Sequence, residues 1–114
     1  MTRKEKSFPL TDVQWAYILG RKKEFKAGDV ATHYYNEVVT EIDVKRLEKA
    51  LNQVIAHHPM LHTVILENGT QYELEKYDYY TIRQYDLTSY KEEEKAVFLT
   101  EQRERLSHYN YPAG

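Results

Sequence analysis

Three histidines near the middle of the chain are residues of a type that binds metals and transfers protons. His58 and His62 have the four-residue spacing with which two histidines on one helix bind zinc. Pro59 interrupts a helix between them, His57 is adjacent to His58, and no third ligand lies nearby in sequence. The sequence therefore predicts no metal site. We expect these histidines to end a helix, where a cationic ring favours the dipole, and to hold the crossing into the next strand.

No other residues have the pattern of a self-contained active site. Ser89 and Ser107 do not lie in a Gly-x-Ser-x-Gly turn, and Ser107 and His108 are neighbours whose side chains would point apart on a helix. The four glycines are scattered, so there is no phosphate-binding loop. Four tyrosines could stack on bases or sugars, but without a basic groove they are expected to pack a strand and its link on a helix. They are Tyr77, Tyr79, Tyr80 and Tyr85.

Composition indicates one small domain with neither a nucleic-acid nor a membrane partner. Its 114 residues allow one hydrophobic core, and 16 lysines and arginines stand against 18 aspartates and glutamates, a formal net charge of -2. This balance gives no electrostatic reason to bind nucleic acid or an anionic membrane. The lack of cysteine excludes disulfides and thiolate ligands. No apolar run could span a bilayer and residues 1–6 lack the apolar stretch of a signal peptide, so we expect a cytoplasmic protein.

The N-terminal part is predicted to contain a flexible lead-in and one helix. Residues 1–7 are charged and have no periodicity, so order is expected to begin at Phe8. Thr11 and Gln14 have the spacing of a capping box, which predicts a helix that begins after Thr11 and ends by about Lys23. Residues at helical spacing form its apolar side, namely Val13, Ala16, Tyr17 and Gly20.

Strands are predicted in four later segments. Residues 33–40 and residues 80–87 are rich in tyrosine or β-branched residues, which is typical of strands. Residues 60–67 and 71–76 are predicted to form a hairpin, joined at Asn68-Gly69 by a type I′ turn.

Two further helices are predicted between and after these strands. The first is capped by Asp43 and ends before Pro59, and the second is capped by Ser89 and runs to about Tyr109. The apolar stripe of the first consists of Val44, Leu47, Leu51, Val54 and Ile55.

The order of these elements predicts an α/β two-layer sandwich in which about three helices lie against a mixed sheet. A sheet of this kind that lacks further strands has an unpaired edge and a partly uncovered apolar face. Both features favour self-association of the chain through the open sheet edge.

Two groups of residues resemble signatures of one enzyme family. The first reads Phe-Pro-Leu-Thr-x-x-Gln-x-Ala-Tyr-x-x-Gly-Arg and resembles the opening signature of heterocyclization domains, a branch of the condensation-domain superfamily of nonribosomal peptide synthetases. Its residues are Phe8, Pro9, Leu10, Thr11, Gln14, Ala16, Tyr17, Gly20 and Arg21. The second resembles Arg-His-x-Met-Leu followed by Asn/Asp-Gly-x-Gln, with His57 in place of the usual arginine. Its residues are His58, Met60, Leu61, Asn68, Gly69 and Gln71.

The resemblance covers roughly Phe8 to His108 and implies both a fold and a reaction. Heterocyclization domains resemble chloramphenicol acetyltransferase, with two α/β lobes around a tunnel that donor and acceptor carrier proteins approach from opposite ends. They join an acyl or peptidyl thioester, held on phosphopantetheine, to Cys, Ser or Thr and close the product to a thiazoline or oxazoline. Residues 8–114 would be the first part of the N-terminal lobe. The implied partners are peptidyl or acyl carrier proteins and the rest of the synthetase.

The catalytic signature of the family is absent from this sequence. Heterocyclization domains carry Asp-x-x-x-x-Asp-x-x-Ser where condensation enzymes carry His-His-x-x-x-Asp-Gly. His57 and His58 do not begin the latter, because His62 and Thr63 occupy its Asp and Gly positions. The resemblance therefore implies no catalytic residue, cofactor or metal in this chain, which is expected to be inactive alone.

The resemblance implies architectural roles for the signature residues, with Met60 and Leu61 in the core of the lobe. The functional alternative is that Arg21, His57 or His58 lines the tunnel or contacts a carrier protein. Two alternatives to heterocyclization also stay open. One is a truncated lobe that binds carrier proteins or a complementary lobe without catalysis, and the other is ordinary condensation without cyclization.

Overall fold

One long strand organises the sheet in the computed structural model, which describes residues 2–3, 6–21, 34–107, 109 and 111. This strand, β4 (Thr70–Lys76), pairs antiparallel with three shorter strands. They are β1 (Thr2–Arg3), β2 (Phe8–Pro9) and β3 (Thr63–Ile65). Because β2 and β3 both pair with β4 at Gln71, they lie on its two opposite edges. Two residues of the expected lead-in, Thr2 and Arg3, thus take part in the sheet.

The prediction of a mixed sheet is wrong for the described residues, in which every strand pair is antiparallel. A parallel pair requires a long crossover between its strands. Outside the hairpin, the strands predicted from the sequence were residues 33–40 and 80–87. Residues 34–40 and 80–87 form no strand in the structure, and residue 33 lies outside the described residues. A strand needs a neighbouring strand with which to exchange hydrogen bonds. In the described part of the chain, no strand pairs with either of these two segments.

The hairpin between β3 and β4 forms, but its turn differs from the predicted two-residue type. The amide of Gly69 donates to the Leu66 carbonyl (3.2 Å) and the amide of Leu66 donates to the Thr70 carbonyl (2.9 Å). The connection therefore has three residues, of which Gly69 has a φ of +91°. This arrangement is typical of a turn followed by a left-handed glycine bulge. Asn68 stabilises it because its side-chain oxygen accepts from the amide of Thr70 (3.1 Å).

The first helix, α1 (Asp12–Gly20), begins with the predicted capping box. The amide of Gln14 donates to Thr11 Oγ1 (3.2 Å), and the amide of Thr11 donates to Gln14 Oε1 (2.9 Å). Two amide groups that would lack a helical partner are satisfied in this way. Helix α1 ends at Gly20, three residues before the predicted end, and residues 22–33 lie outside the described part of the chain.

The predicted inner face of α1 is wrong. Val13 and Tyr17 are 61% and 53% exposed, and Ile18 is the buried residue of the helix. Gln14 and Trp15 are half-buried on the same side as Ile18. The reason is that Gln14 contacts β4, which rotates the helix so that the side chains of Val13 and Tyr17 point away from the sheet.

The second helix, α2 (Val44–His57), has the predicted limits and cap, since the amide of Arg46 donates to the side chain of Asp43 (3.2 Å). Its predicted apolar stripe is largely uncovered. Leu47, Leu51 and Val54 are 37%, 36% and 46% exposed, and no residue of the helix is buried. The sequence predicted an uncovered apolar face on the sheet, whereas the exposed apolar stripe described here lies on α2.

The segment after α2 differs from the predicted strand that starts at Met60. A 3-10 helix (Pro59–His62) precedes β3, which begins only at Thr63. Proline favours the first turn of a helix, because its fixed φ is helical and its missing N–H is not needed there.

The last helix, α3 (Glu92–Ser107), begins three residues after the predicted cap at Ser89. The amide of Tyr90 donates to the Leu87 carbonyl (3.0 Å), so Thr88 and Ser89 lie inside a separate turn. The three glutamates of its first turn interact favourably with the positive end of the helix dipole.

The core is smaller than the length of the chain allows. Among the described residues, the buried ones are Leu10, Ile18, His62, Gly69, Gln71 and Leu74. The radius of gyration is 17.7 Å, whereas a compact domain of this length would have about 13 Å. The helices leave apolar surface exposed, so the residues that the structure describes form a smaller core than expected. Within the described ranges, no helix is long and apolar enough to cross a membrane.

Candidate functional site

The two family signatures meet where α1 packs on β4. The side chains of Gln14 and Gln71 form a reciprocal amide pair, in which each Nε2 donates to the other Oε1 at 2.8 and 2.9 Å. Gln71 also donates to the Pro9 carbonyl (3.2 Å) and is only 2% exposed. Two side-chain hydrogen bonds thus join residues that are 57 positions apart in the sequence. We call the contact of Pro9, Leu10, Gln14, Gly69 and Gln71 the signature junction.

Trp15 and Gly69 form a second contact beside this amide pair. A Cβ atom placed on Gly69 would overlap the indole atom Cζ2 of Trp15 and would lie 3.0 Å from two further ring atoms. The amide of Leu10 donates to the Gly69 carbonyl (3.0 Å), and the Leu10 side chain is buried. Gly69 is therefore required both for its positive φ and for the space that the indole occupies.

The chemistry available at the signature junction is hydrogen bonding and packing. Its polar groups are side-chain amides and backbone groups, which do not ionise near neutral pH. The junction therefore holds α1 and the hairpin in one arrangement, which agrees with an architectural role for Leu10, Thr11, Gln14, Gly69 and Gln71.

The other signature residues lie outside this junction. Phe8 and Tyr17 are 40% and 53% exposed, and Ala16 is exposed on the outer side of α1. Met60 and Leu61, which the resemblance assigned to the core, are 54% and 57% exposed. No described layer covers the 3-10 helix on which they lie, so that assignment does not hold for this chain.

Arg21 lies at the C-cap of α1, at the end of the first signature. Its amide donates to the Ile18 carbonyl (3.3 Å), and its Nη2 donates to the carbonyl of Tyr111. The guanidinium thus contacts backbone beyond α3, 90 residues along the chain. Gly20 precedes it and has no atom within 4 Å of the position of an added Cβ.

The three histidines of the second signature region have separate environments. The rings of His57 and His58 are exposed and contact each other edge to face, with centroids 5.1 Å apart. The buried His62 stacks on Tyr77 and not on these two rings. Its Nδ1 donates to the Ile55 carbonyl (2.7 Å), and its Nε2 lies 3.0 Å from Glu73 Oε1.

His62 compensates for the proline that follows α2. In a continued helix the Ile55 carbonyl would accept from the amide of residue 59, but Pro59 has no N–H. The imidazole of His62 donates to that carbonyl instead and stacks on Tyr77, with ring centroids 4.7 Å apart. The prediction that these histidines hold the crossing from α2 into the next strand is confirmed for His62. No group of three or more potential metal ligands occurs among the residues that the structure describes.

An ion pair that the sequence did not predict joins the segment before α2 to α3. Arg103 donates to both carboxylate oxygens of Glu37, at 2.8 and 2.6 Å, and Tyr35 donates to the same carboxylate (3.2 Å). The Arg103 hydrogen bonds lower the pKa of Glu37 from its usual value. Partial burial, followed by the bond to Glu37, raises the pKa of the Tyr35 hydroxyl. Because 66 residues separate the pair, no local pattern could have revealed it.

Replacement of Arg103 with glutamine should raise the pKa of Glu37 towards its ordinary value of about 4.3. The pKa of Glu37 is lower in the folded chain than in the unfolded chain. The ion pair with Arg103 therefore stabilises the fold at pH values above the pKa that Glu37 has in the unfolded chain. This stabilisation is lost as the pH falls through the pKa that Glu37 has in the folded chain. Carboxylate titration by NMR measures this change. Arg46→Gln, at an exposed position of α2, is the control and should leave the titration of Glu37 unchanged. An equal shift in both variants contradicts the assignment.

Comparison with known proteins shows similarity to large synthetases over most of the chain. Bacitracin synthase 1 of Bacillus licheniformis is 43% identical over 100 residues, which are 88% of this chain and 2% of that protein. Pyochelin synthetase PchF of Pseudomonas aeruginosa is 37% identical over 103 residues, which are 89% of this chain and 6% of PchF. Phenyloxazoline synthase MbtB of a Mycobacterium species is 40% identical over 65 residues, 56% of this chain and 6% of MbtB. No family model matches the chain.

These relatives confirm the resemblance to nonribosomal peptide synthetases that the two signatures carry. The chain spans only a few per cent of the length of the curated relatives that it matches. The matched segments nevertheless include most of its residues. The chain therefore belongs, over most of its length, with the nonribosomal peptide synthetases, as a partial segment related to their heterocyclization and condensation domains.

Proposed function

We propose that this chain is the N-terminal part of a heterocyclization domain and that its role is to build the first part of the N-terminal lobe. The parent synthetase would act in the cytoplasm on substrates held by the phosphopantetheine arms of carrier proteins. The catalytic carboxylates belong to a signature that this sequence does not contain. The chain by itself is therefore expected to show no turnover.

The parent reaction proceeds in two stages, neither of which requires an oxidant or a reductant. The amine of a carrier-bound Cys, Ser or Thr attacks the acyl or peptidyl thioester, which forms an amide and releases the thiol of the donor arm. The side-chain thiol or hydroxyl then adds to the new amide carbonyl, and one water leaves to give a thiazoline or oxazoline. The ring product is thus lighter than the open amide by one water.

The observation that carries this proposal is the signature junction. Gln14 of the first signature and Gln71 of the second form one hydrogen-bonded pair, although they lie far apart in sequence. Because each of these side chains needs the other as its hydrogen-bond partner, the pair explains why both signatures occur together. The relative MbtB is a phenyloxazoline synthase, which supports a ring-forming parent rather than ordinary condensation.

An exchange of segments tests the proposal in an intact enzyme. The region of MbtB that corresponds to residues 8–107 is replaced by those residues of this chain, and the products are analysed by mass spectrometry. We expect phenyloxazoline formation within roughly tenfold of the parent rate, a loss of about 1.4 kcal/mol of transition-state stabilisation at most. A chimera that is folded and carrier-loaded but yields only the open amide would favour ordinary condensation and contradict the proposal.

Two glycine variants of the chimera serve as matched controls. Gly69→Ala should reduce the yield of folded enzyme, because the added Cβ overlaps the indole of Trp15. Gly20→Ala should behave as the unchanged chimera, because no atom lies within 4 Å of its added Cβ. Equal behaviour of the two variants would show that the signature junction does not form in the parent.

A second candidate function is a binding module without catalysis, directed at carrier proteins or at a complementary lobe. The observation in its favour is the exposed apolar stripe of α2, with Leu47, Leu51 and Val54 each at least 36% exposed. Contiguous exposed apolar surface of this kind marks interaction sites. Isothermal calorimetry with a phosphopantetheinylated carrier protein tests it: heat that disappears in Leu51→Lys but persists in Lys49→Ala supports this function, and no heat contradicts it.

A further inference from the structure

A cavity lies between residues 80–85 and the C-terminal end of α3. Its volume is about 540 Å³, within the range of roughly 300–1,000 Å³ that is typical of small-molecule sites. Residues of the segment, of the last turns of α3 and of the chain after α3 line it together. We call it the tyrosine-arginine cavity, after the lining residues Tyr80, Arg83, Tyr85, Arg105, Tyr109 and Tyr111.

The charged side chains of this lining are both arginines. In the described part of the chain, the guanidinium of Arg83 has no hydrogen-bond or ion-pair partner. Nη2 of Arg105 donates to the neutral side chain of Gln102 (2.5 Å). Among the described residues, no carboxylate therefore neutralises either arginine. A phosphate suits two such groups, because guanidinium donors form charge-assisted and often paired hydrogen bonds with its oxygens.

The aromatic rings of the cavity are held by their neighbours. Tyr85 contacts Phe98 of α3 edge to face, with ring centroids 5.0 Å apart. Tyr109 contacts Tyr111 in the same manner at 4.7 Å, and Arg21 donates to the Tyr111 carbonyl and so ties this wall to the end of α1. Tyr85 and Tyr109 nevertheless stay exposed. Rings that are already ordered lose little further freedom when a flat ligand stacks on them.

Unpaired backbone groups lie beside these rings. Asn52 of α2 exchanges two bonds of 2.8 Å with the backbone of Tyr80, and the amide of Ile82 donates to α2 at 2.9 Å. The intervening and following residues of the lining, Thr81 and Arg83, have no backbone hydrogen bond within the described ranges. Their N–H and C=O groups can bond to the polar edge of a ligand, which a nucleobase has and a plain aromatic ring lacks.

We propose that the tyrosine-arginine cavity binds a free mononucleotide. Its phosphate contacts Arg83 and Arg105, its base stacks on Tyr85, and the polar edge of the base bonds to the unpaired backbone groups. From the sequence, base stacking by Tyr80 and Tyr85 lacked a basic groove, whereas in the structure both tyrosines share one cavity with two arginines. The ligand is one nucleotide and not a nucleic acid, because the net charge of -2 does not favour a long phosphate backbone. This site goes beyond the proposed function and does not depend on it.

Isothermal calorimetry with adenosine monophosphate and the complete chain tests the inference. Adenosine monophosphate should bind roughly tenfold or more tightly than either adenosine or inorganic phosphate, because it alone engages the rings and the arginines together. NMR of the arginine side-chain N–H groups locates the ligand. The signals of Arg83 and Arg105 should shift, whereas that of Arg46, at an exposed position of α2, should not.

Two pairs of variants separate the contributions of charge and ring. Arg83→Gln should weaken the binding of adenosine monophosphate about tenfold, because a charge-assisted bond is lost, and Arg46→Gln should leave it unchanged. Tyr85→Leu should weaken binding about tenfold, because the stacking surface is lost, and Tyr85→Phe, which keeps the ring, should bind as the unchanged chain does. The amide NMR signals of α2 and β4 show whether each variant is folded.

Several results would overturn the inference. Adenosine monophosphate that does not bind at millimolar concentration is one, and inorganic phosphate or adenosine that binds equally well is another. Equal binding by Arg83→Gln and Arg46→Gln would place the nucleotide elsewhere. A single-stranded oligonucleotide that binds while adenosine monophosphate does not would make the ligand a nucleic acid. The segment exchange in MbtB measures ring formation and not nucleotide binding, so failure here and failure of the proposed function are distinguishable.

Discussion

Replacement of Gly69 with alanine should lower the free energy of unfolding by about 3 kcal/mol. A left-handed backbone costs an alanine roughly 1–2 kcal/mol, and Gly69 has a φ of +91°. The added Cβ would also overlap the indole of Trp15, and overpacking of this kind costs roughly 1–3 kcal/mol. Urea unfolding followed by tryptophan fluorescence measures the change, because Trp15 is the single tryptophan of the chain.

Two comparisons separate the causes of this loss. Gly20→Ala adds the same methyl group where no atom lies within 4 Å, and alanine at the end of a helix should leave stability unchanged or raise it by up to about 1 kcal/mol. Gly69→Ala in a Trp15→Leu background, compared with Trp15→Leu alone, lacks the overlap and should show only the backbone cost. Because this background has no tryptophan, its urea unfolding is followed by far-UV circular dichroism. If Gly69→Ala unfolds at the same urea concentration as Gly20→Ala, the packing of Trp15 on Gly69 is not present in solution.

Replacement of Gln71 with leucine should destabilise the chain by about 2 kcal/mol. The substitution leaves the Gln14 side chain and the Pro9 carbonyl without their bonds to Gln71. Buried polar groups that lose a partner cost roughly 1–3 kcal/mol, which the added apolar burial of leucine offsets in part. The same urea titration reports the change, and Gln84→Leu at an exposed position is the control with an expected effect within about 0.5 kcal/mol.

A double-mutant cycle shows whether this loss arises from the amide pair. Gln14→Leu and Gln71→Leu each leave one amide unpaired, whereas the double variant removes both. The double variant should therefore be more stable than the sum of the single effects predicts, by about 1 kcal/mol or more. Additive effects would mean that Gln14 and Gln71 do not contact each other, and the signature junction would lose its central bond.

The signature junction gives the two family signatures one physical explanation. The first signature supplies the capping box of α1 and the side-chain amide of Gln14. The second supplies Gly69 and the side-chain amide of Gln71, which bonds to that of Gln14. Neither set of residues brings a titrating group to the contact. The conservative interpretation of these residues as architectural thus rests on identified bonds at Thr11, Gln14, Gly69 and Gln71. In contrast, Arg21, His57 and His58 make few contacts in the described chain, and a role for them in the tunnel or at a carrier protein stays a prediction.

Local chemistry determined which elements could be predicted from the sequence. The capping box of Thr11 and Gln14 and the cap at Asp43 operate over three residues, so their patterns reveal the starts of α1 and α2. The same holds for Pro59, which ends α2, and for the glycine-containing hairpin. Ser89 failed as a cap because a competing turn, closed by Leu87 and Tyr90, encloses it. Local patterns are reliable where one interaction dominates and fail where two compete.

The sequence by itself determined the caps, the limits of α2, the hairpin and membership among the peptide synthetases, because each depends on neighbouring residues or on the signatures themselves. Only the tertiary structure decided which face of α1 is buried, since a bond between Gln14 and Gln71 rotates the helix. It also decided that residues 80–87 form no strand, because a strand requires a partner beside it. Bonds across 57 or 66 residues, as at Gln71 and Arg103, have no local pattern and arise only when the chain folds.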